Sequence, residues 1–219
     1  MPFYRARIYP FLVSRLGNPE PVREIRRRII PLARGTVLEI GVGPGVNFVY
    51  YDPALVGKIY ALEPNPEMIR LAERQRRRTQ LQVEYLDLPG ERIPLAESSV
   101  DTVVSTFTLC TIPGVAEAIR GIRRALKPGG QLLFIEIGSS PDPAVQRWQA
   151  FWEPFHQRVF AGLHLTRDMP ALLTQGGFQI EQMERGYLTP FPKSWAHCWW
   201  GRAVPSRGPH VRPAQTEEL

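Results

Sequence analysis

Apolar residues occur along this chain in short runs that alternate with amphipathic stretches of helical period. The runs predict five strands, and the stretches in which apolar residues recur every three or four positions predict helices between them. Strands that alternate with helices indicate a parallel sheet covered by helices on both faces. The predicted strands cover residues 36–41, 58–62, 82–86, 100–107 and 131–137.

The helical stretches begin and end at recognisable signals. Pro19 and Pro21 open a helix that extends to about Ala33, and Pro66 opens another that ends in an arginine cluster. A short helix is predicted after the first strand, ending before Asp52. A further helix, from about residue 115, ends at the Lys-Pro-Gly-Gly sequence of residues 127–130, which turns the chain into the fifth strand.

The last part of the chain predicts a different arrangement. Residues 178–188 and 195–204 are two apolar stretches that predict an antiparallel hairpin at the edge of the sheet. With the five earlier strands, the sequence predicts a Rossmann-like α/β fold. Its sheet has seven strands and is mostly parallel, with helices on both faces and an antiparallel edge hairpin.

The length of 219 residues suits one α/β domain with a sizeable core. We expect that domain over residues 35–204, preceded by a helical cap at 1–34 and followed by a disordered tail at 205–219. Residues 143–168 are rich in aromatic side chains and predict a lid segment over a pocket. No apolar stretch reaches the length of a membrane span, and the N-terminal residues lack a signal-peptide pattern. A cytoplasmic location is therefore expected.

The chain is basic, with 27 Lys and Arg against 21 Asp and Glu, a net charge of +6. Arginine clusters fit nucleic-acid contact or solvated helix faces. Aromatic residues do not interleave these clusters, so nucleic-acid binding is not expected. Peripheral contact of residues 3–16 with a membrane stays open as an alternative to packing. The oligomeric state cannot be read from the sequence, and no residue grouping has metal-site spacing.

Candidate chemistry is concentrated after the first two strands. The first strand carries Glu39 and ends in three glycines, Gly41, Gly43 and Gly45, each separated by one residue. The second strand ends in Glu63. Glycines allow the backbone to approach a ligand where a Cβ atom would clash, and an acid at the end of the next strand accepts hydrogen bonds from both ribose hydroxyls. The pattern indicates a nucleoside-containing cofactor.

The acid before the glycines distinguishes between two such cofactors. Dinucleotide folds prefer G-x-G-x-x-G facing a pyrophosphate, which would repel Glu39. The amino group and sulfonium of S-adenosylmethionine (SAM) are cationic and favour a carboxylate at this position. SAM is therefore the predicted cofactor, with S-adenosylhomocysteine as its product. An NAD-dependent oxidoreductase remains the alternative class.

These motifs also support a resemblance. Residues 37–137 resemble the core of the class I SAM-dependent methyltransferases, in the branch of the ubiquinone/menaquinone-type C-methyltransferases. A closer resemblance is to the methyltransferase-like family that includes animal thiol S-methyltransferases. The resemblance lies in residues 38–45, 47–48, 51, 63–66, 89–91, 99–101, 103–104, 108–110, 126–130, 165–168 and 177–178.

The resemblance implies roles for individual residues. Glu39 would orient the methionine amino group, Glu63 would bind the ribose, and Glu91 would accept from the adenine amine. The cofactor-binding residues implied in this way are Glu39, Gly41, Gly43, Gly45, Asn47, Glu63, Pro64, Asn65, Gly90, Glu91, Thr106 and Phe107.

The acceptor side is less defined by the sequence. The resemblance implies a small, apolar methyl acceptor, most readily a thiol or a similar soft nucleophile. A lipid or quinone-like acceptor, or a SAM-binding protein without transferase activity, are the alternatives. His156 and His164 are the candidate bases, since a thiol or hydroxyl acceptor must lose a proton. Candidate acceptor-binding residues are Tyr4, Tyr9, Thr108 and Trp152.

Overall fold

The computed structural model describes residues 18–206. Its sheet has seven strands in the order β3-β2-β1-β4-β5-β7-β6. β1 to β5 are parallel, and β7 runs antiparallel to both β5 and β6. This confirms the predicted fold class. The strands are β1 Gly35–Ile40, β2 Val56–Leu62, β3 Val83–Leu86, β4 Val100–Thr106, β5 Leu126–Ile137, β6 Phe178–Tyr187 and β7 His197–Pro205.

Five α-helices accompany the sheet in the described part of the chain. Three of them begin at a side-chain cap, since Asn65, Asp142 and Asp168 each accept a hydrogen bond from a backbone amide of the first turn. Short 3-10 helices follow the first helix at Ile30–Leu32 and the glycine loop at Phe48–Tyr50. The helices are α1 Glu20–Ile29, α2 Pro66–Arg76, α3 Val115–Ala125, α4 Pro143–Val159 and α5 Met169–Gln175.

The hydrophobic core lies on both faces of the sheet. Neighbouring residues of one strand belong to opposite clusters, as the alternation of side chains along a strand requires. Leu38 and Val103 pack with α3 and α5 on one face, whereas Val37 and Val104 pack with α1 and α2 on the other. β4 is the most central strand, and six of its seven residues are buried. The C-terminal end of β4 therefore lies in the middle of the carboxyl edge of the sheet.

β5 begins earlier than the sequence predicts. Leu126 follows α3 directly and pairs with Val100, and the register then shifts before Thr102 pairs with Gln131. The Lys-Pro-Gly-Gly sequence is therefore a bulge within the strand and not a turn that precedes it. Lys127 holds the bulge by donating to both carboxylate oxygens of Asp101, with N–O distances of 2.9 Å.

The aromatic segment forms one helix, α4, with Pro154 inside it. Between residues 18 and 206, no helix is long and apolar enough to cross a bilayer. Residues 1–17 of the predicted helical cap, with the candidates Tyr4 and Tyr9, and most of the predicted tail lie outside the described residues.

Candidate functional site

The carboxyl ends of β1, β2 and β4 lie side by side, because β1 pairs with both of the other strands. The glycine loop leaves the end of β1 and is fixed on the end of β2. The amides of Gly41 and Val42 donate to the carbonyl of Leu62, at 2.7 Å and 3.2 Å. Open α/β sheets bind their ligands at this edge.

The three glycines of the loop all have positive φ values, yet they differ in what a side chain would meet. A Cβ at Gly41 would lie 2.3 Å from the hydroxyl of Thr108, and one at Gly45 would lie 2.8 Å from the Cα of Ala72. At Gly43 the nearest atom would be the Gly41 carbonyl oxygen, 3.8 Å away. Gly41 and Gly45 are thus needed for packing, whereas a Cβ at Gly43 would have no close neighbour, so packing within the described chain does not require a glycine there.

Glu63 lies beside Gly43. Its Oε2 accepts from the amide of Gly43 and its Oε1 accepts from the amide of Asn65, both at 3.0 Å. Burial raises the pKa of the Glu63 carboxyl above its ordinary value, and the charged neighbour that adds to this effect is Asp87. Because the surrounding charge is negative, the position suits hydroxyl donors and disfavours a phosphate. Pro64 is exposed beside it.

A buried polar network surrounds Glu39. The carboxylate is 1% exposed. It accepts from the Asn47 side-chain amide and from the Tyr51 hydroxyl, each at 2.8 Å. Burial raises the pKa of Glu39 to about 7, although these two hydrogen bonds and the charge of Arg26 oppose the rise. The carboxylate is therefore poised to favour a cationic ligand group.

Arg26 belongs to this network, which the sequence did not reveal. The sequence predicts a solvated or nucleic-acid-facing cluster at residues 26–28, but the side chain of Arg26 is 3% exposed. Its Nη1 donates to the Asn47 side-chain oxygen and to the Thr106 hydroxyl. The helical spacing could have identified it, since Arg26 falls on the same apolar stripe as Val22, Ile25 and Ile29.

The loop after β4 is held by Glu136, a buried carboxylate at the end of β5. Oε1 of Glu136 accepts from the Ser105 hydroxyl and from the amides of Thr108 and Leu109, and Oε2 accepts from the amide of Cys110. This arrangement fixes the backbone that follows Thr106 at the cofactor edge. The sequence motif pointed to this loop, but nothing in it assigned this function to Glu136.

Three further predicted residues lie along this loop and its neighbour. Phe107 has a φ of 54° and directly follows the last residue of β4. The centroid of its ring lies 5.6 Å from Cζ of the Arg26 guanidinium. The Thr108 hydroxyl donates to the Thr106 carbonyl at 3.1 Å, which engages it within the protein. Gly90 packs against Ile40 at the end of β1, and Glu91 accepts from the amide of Gly114 at 3.2 Å.

The two histidine candidates have different surroundings. His156 is 2% exposed and stacks on Phe160, with Trp195 at its edge. Its Nδ1 lies 3.0 Å from the carbonyl oxygen of Trp152, and burial lowers its pKa. These contacts are those of a packing side chain within the aromatic cluster of α4.

His164 lies between a carboxylate and an amide side chain, and Nε2 of Gln157 is 3.0 Å from its Nδ1. Its Nδ1 lies 2.8 Å from Oε1 of Glu153, and its side chain is 29% exposed. Oε2 of Glu153 accepts from the amides of Leu165 and Thr166, so the carboxylate is fixed. The amide of His164 donates to the Cys110 carbonyl at 2.8 Å, which ties it to the loop after β4.

The structure thus brings most of the predicted cofactor residues to one edge. Trp152 lies farther along α4 and packs against Trp195, Phe151 and Phe155. Within residues 18–206, no group of three or more His, Cys, Asp or Glu side chains is arranged to hold a metal ion.

The family model of a methyltransferase domain matches residues 38–134. The thiol S-methyltransferase TMT1B of Rattus norvegicus is 34% identical over 180 residues, which cover 80% of this chain and 68% of the relative. A ubiquinone/menaquinone biosynthesis C-methyltransferase of Salmonella arizonae is 27% identical over 139 residues, which cover 61% of this chain and 54% of the relative.

Solved structures support the fold. The YcgJ protein from Bacillus subtilis superposes on this chain with a TM-score of 0.67 at 14% identity. The superposition covers 85% of this chain and 100% of the YcgJ chain. A SAM-dependent methyltransferase from Methanosarcina mazei superposes with a TM-score of 0.61 at 21% identity, covering 78% of this chain and 92% of its own.

Proposed function

This chain belongs to the class I SAM-dependent methyltransferases, and from that premise we propose that it methylates the sulfur of a small, apolar thiol. The observation that carries the choice of a thiol is the extent of the match to thiol S-methyltransferase TMT1B. The family model ends at residue 134, whereas the alignment with the rat relative spans 180 residues. The likeness therefore includes chain outside the shared cofactor-binding core.

The edge of the sheet fits SAM as the methyl donor. The open space at Gly43 accommodates a ligand where a Cβ would protrude, and the buried Glu39 offers a carboxylate to a cation. Glu63 has lone pairs left after accepting two amides, and we assign these to the ribose hydroxyls. Pro64, Asn65, Gly90 and Glu91 lie on the loops where the adenosine would bind. When bound, SAM supplies a methyl group activated by a sulfonium.

The protein's own contribution is alignment and exclusion of water. The loop after β4 is fixed by Glu136, so the backbone at Thr106 and Phe107 has one conformation against which an acceptor can be placed. Such pre-organisation replaces the entropy that two free reactants would lose. The aromatic side chains of α4, Trp152 among them, provide an apolar wall for an apolar acceptor.

The acceptor thiol must lose its proton, because the thiolate is the nucleophile. We assign the base to His164. Nδ1 of His164 lies 2.8 Å from Oε1 of Glu153 and 3.0 Å from Nε2 of Gln157. In the tautomer that carries its proton on Nδ1 and donates it to Glu153, the lone pair of Nε2 is available to take the proton of the thiol. Glu153 is fixed as the acceptor by two backbone amides.

A panel of matched acceptors tests this proposal. The full chain is incubated with SAM and with hexanethiol, hexanol or a demethylated quinol, and the methylated products are measured by mass spectrometry. We expect methylation of the thiol and none of the matched alcohol. Methylation of the quinol alone would instead support the quinone-like alternative, and it would contradict a thiol acceptor.

A further inference from the structure

The turn that follows β4 has the backbone groups of three consecutive residues, 108–110, engaged by the protein. Glu136 accepts from all three amides. The carbonyl of Thr108 accepts from the amides of Thr111 and Ile112 within the turn, at 2.8 Å and 3.0 Å. The other two carbonyls accept from outside the turn. A turn whose backbone groups are satisfied in this way offers a fixed point of attachment to a second segment.

The two remaining carbonyls are bound by one segment, residues 163–168, which also carries the proposed base. The amide of His164 donates to the carbonyl of Cys110 at 2.8 Å. The guanidinium of Arg167 donates through Nη1 to the carbonyl of Leu109. Donors three residues apart thus bind two consecutive carbonyls of the turn. One such bond would leave the segment free to pivot about it, whereas two bonds fix its direction.

Arg167 makes the stronger of these two attachments. Its donor is charged, and charged hydrogen bonds are about twice as strong as those between neutral groups. Burial lowers the pKa of Arg167 below its ordinary value, and the carboxylates of Glu136 and Glu153 are among the groups whose charge opposes this effect. The guanidinium is therefore within electrostatic range of both the carboxylate that fixes the turn and the carboxylate beside His164.

The backbone of Arg167 is anchored as well, so its side chain extends from a fixed origin. Its carbonyl accepts from the amide of Ser139, two residues beyond the end of β5, at 2.8 Å. A Cβ at Gly138 would lie 2.6 Å from that carbonyl oxygen, so this close approach requires a glycine. Arg167 therefore joins the chain after β5 to the turn after β4, and it carries the segment of His164 with it.

We propose that Arg167 is a positioning residue for the methyl transfer, which fixes the base His164 relative to the cofactor edge by binding the Leu109 carbonyl. This inference rests on the proposed function, in which His164 takes the proton of the acceptor thiol. Arg167 acts through His164 and not on the reactants themselves. Its loss should therefore affect acceptors that need a base and spare those that do not.

Two acceptors that differ in thiol acidity test the assignment. kcat is measured with hexanethiol and with a thiophenol of low pKa, and SAM affinity is measured by calorimetry. For Arg167→Met we expect kcat with hexanethiol to fall by about 10- to 100-fold, since a misplacement of about 1 Å costs about 100-fold. The thiophenol is already deprotonated, so its kcat should fall by about threefold or less. SAM affinity should be unchanged.

Further variants separate positioning from structural support. In a chain that already carries His164→Gln, Arg167→Met should lower kcat with hexanethiol by about twofold or less, because the group it positions is gone. Arg167→Lys keeps the charge without the planar fork, so it should show a smaller loss that is still selective for hexanethiol. Arg120→Met is the matched control, since Arg120 is an exposed arginine paired with Glu117, and it should change neither kcat.

The ratio of the two kcat values comes from one preparation and does not depend on the folded fraction of a variant. If Arg167→Met does not fold, Arg167→Lys supplies this ratio. Equal losses for both thiols would overturn the proposal, as would unchanged kcat with hexanethiol in folded Arg167→Met or a full additional loss in the His164→Gln background. An unmodified protein that methylates neither thiol, or a His164→Gln variant with full activity, would instead contradict the proposed function, and this inference with it.

Discussion

The backbone amide of Gly43 donates a hydrogen bond to Oε2 of Glu63, with an N–O distance of 3.0 Å. The bond joins the loop after β1 to the end of β2, the two places where the sequence carries its cofactor motifs. Because Gly43 is held by this carboxylate, the open space beside it has a fixed position. The two motifs therefore form one site and depend on each other.

The first prediction concerns Glu63. Replacing it with alanine removes the acceptor for the ribose hydroxyls and also frees the Gly43 amide. We expect Glu63→Ala to weaken SAM binding by about 1.5–3 kcal/mol, the range for hydrogen bonds to a charged group. Calorimetry measures the change, and Glu84→Ala is the control, since Glu84 is an exposed carboxylate paired with Lys58. Unchanged affinity in Glu63→Ala would remove this residue from the site.

The second prediction concerns Gly43. We expect Gly43→Val to abolish SAM binding while the circular dichroism spectrum stays nearly native, because the added side chain would occupy the ligand space. Gly129→Val is the control. Gly129 has a φ of 78° and nothing within 4 Å of a built Cβ, so it carries a similar backbone strain away from the site. If both variants bind SAM like the unmodified protein, the loop does not border the ligand.

The third prediction concerns the pH dependence of cofactor binding. Burial raises the pKa of Glu39 from 4.5 to about 7, so a large fraction of the carboxyl is protonated below that pH. A cationic ligand prefers the carboxylate, and SAM affinity should therefore rise as the pH increases through about 7 and then level off. Calorimetry over this range measures the rise, and Glu39→Gln should abolish it.

The Glu39 carboxyl also affects the stability of the fold, and here the dependence on pH has the opposite sign. Because the folded pKa exceeds the unfolded value, the folded state binds more protons between pH 4.5 and about 7. The free energy of unfolding contributed by Glu39 should therefore fall as the pH rises through this interval. A pH-independent affinity together with this stability loss would show that Glu39 is buried but does not contact the ligand.

The fourth prediction concerns the base. We expect His164→Gln to lower kcat for an alkanethiol by about 10²–10⁴-fold, the usual effect of removing general base catalysis, without changing SAM affinity. A thiophenol of low pKa should be much less affected, because it is already deprotonated. His156→Gln is the control for a histidine of the same region. Equal losses for both thiols would indicate that His164 supports the loop and does not move a proton.

The sequence predicted the sheet because its strands have unambiguous patterns. β4 is rich in β-branched residues, and the glycines and the acids stand at strand ends, where local chemistry requires them. Features that depend on distant residues were not predicted. The bulge in β5 depends on the contact between Lys127 and Asp101 of the neighbouring strand. The two residues are far apart in the sequence, and no local pattern predicts that they meet.

The residues of the candidate site also fall into those that local sequence predicts and those that depend on distant residues. Gly43 and Glu63 could be identified because each follows its own strand. Composition alone does not separate Arg26 from its exposed neighbours, although its position on the apolar stripe of α1 does, and its burial results from the packing of α1 on β5 and β7. Glu136 was read as part of a strand, and its support of the loop after β4 depends on the pairing of β4 with β5. Burial and pairing decide the function of both residues.

One measurement tests the proposed thiol methylation most directly. The full chain is incubated with SAM carrying a ¹³C-labelled methyl group and with 6-mercaptohexanol, which offers a thiol and a hydroxyl on one apolar chain. ¹³C NMR of the product shows which atom carries the label. We predict the S-methyl thioether alone. An O-methyl ether, or no labelled product from a protein that binds SAM, would contradict the assignment of a thiol acceptor.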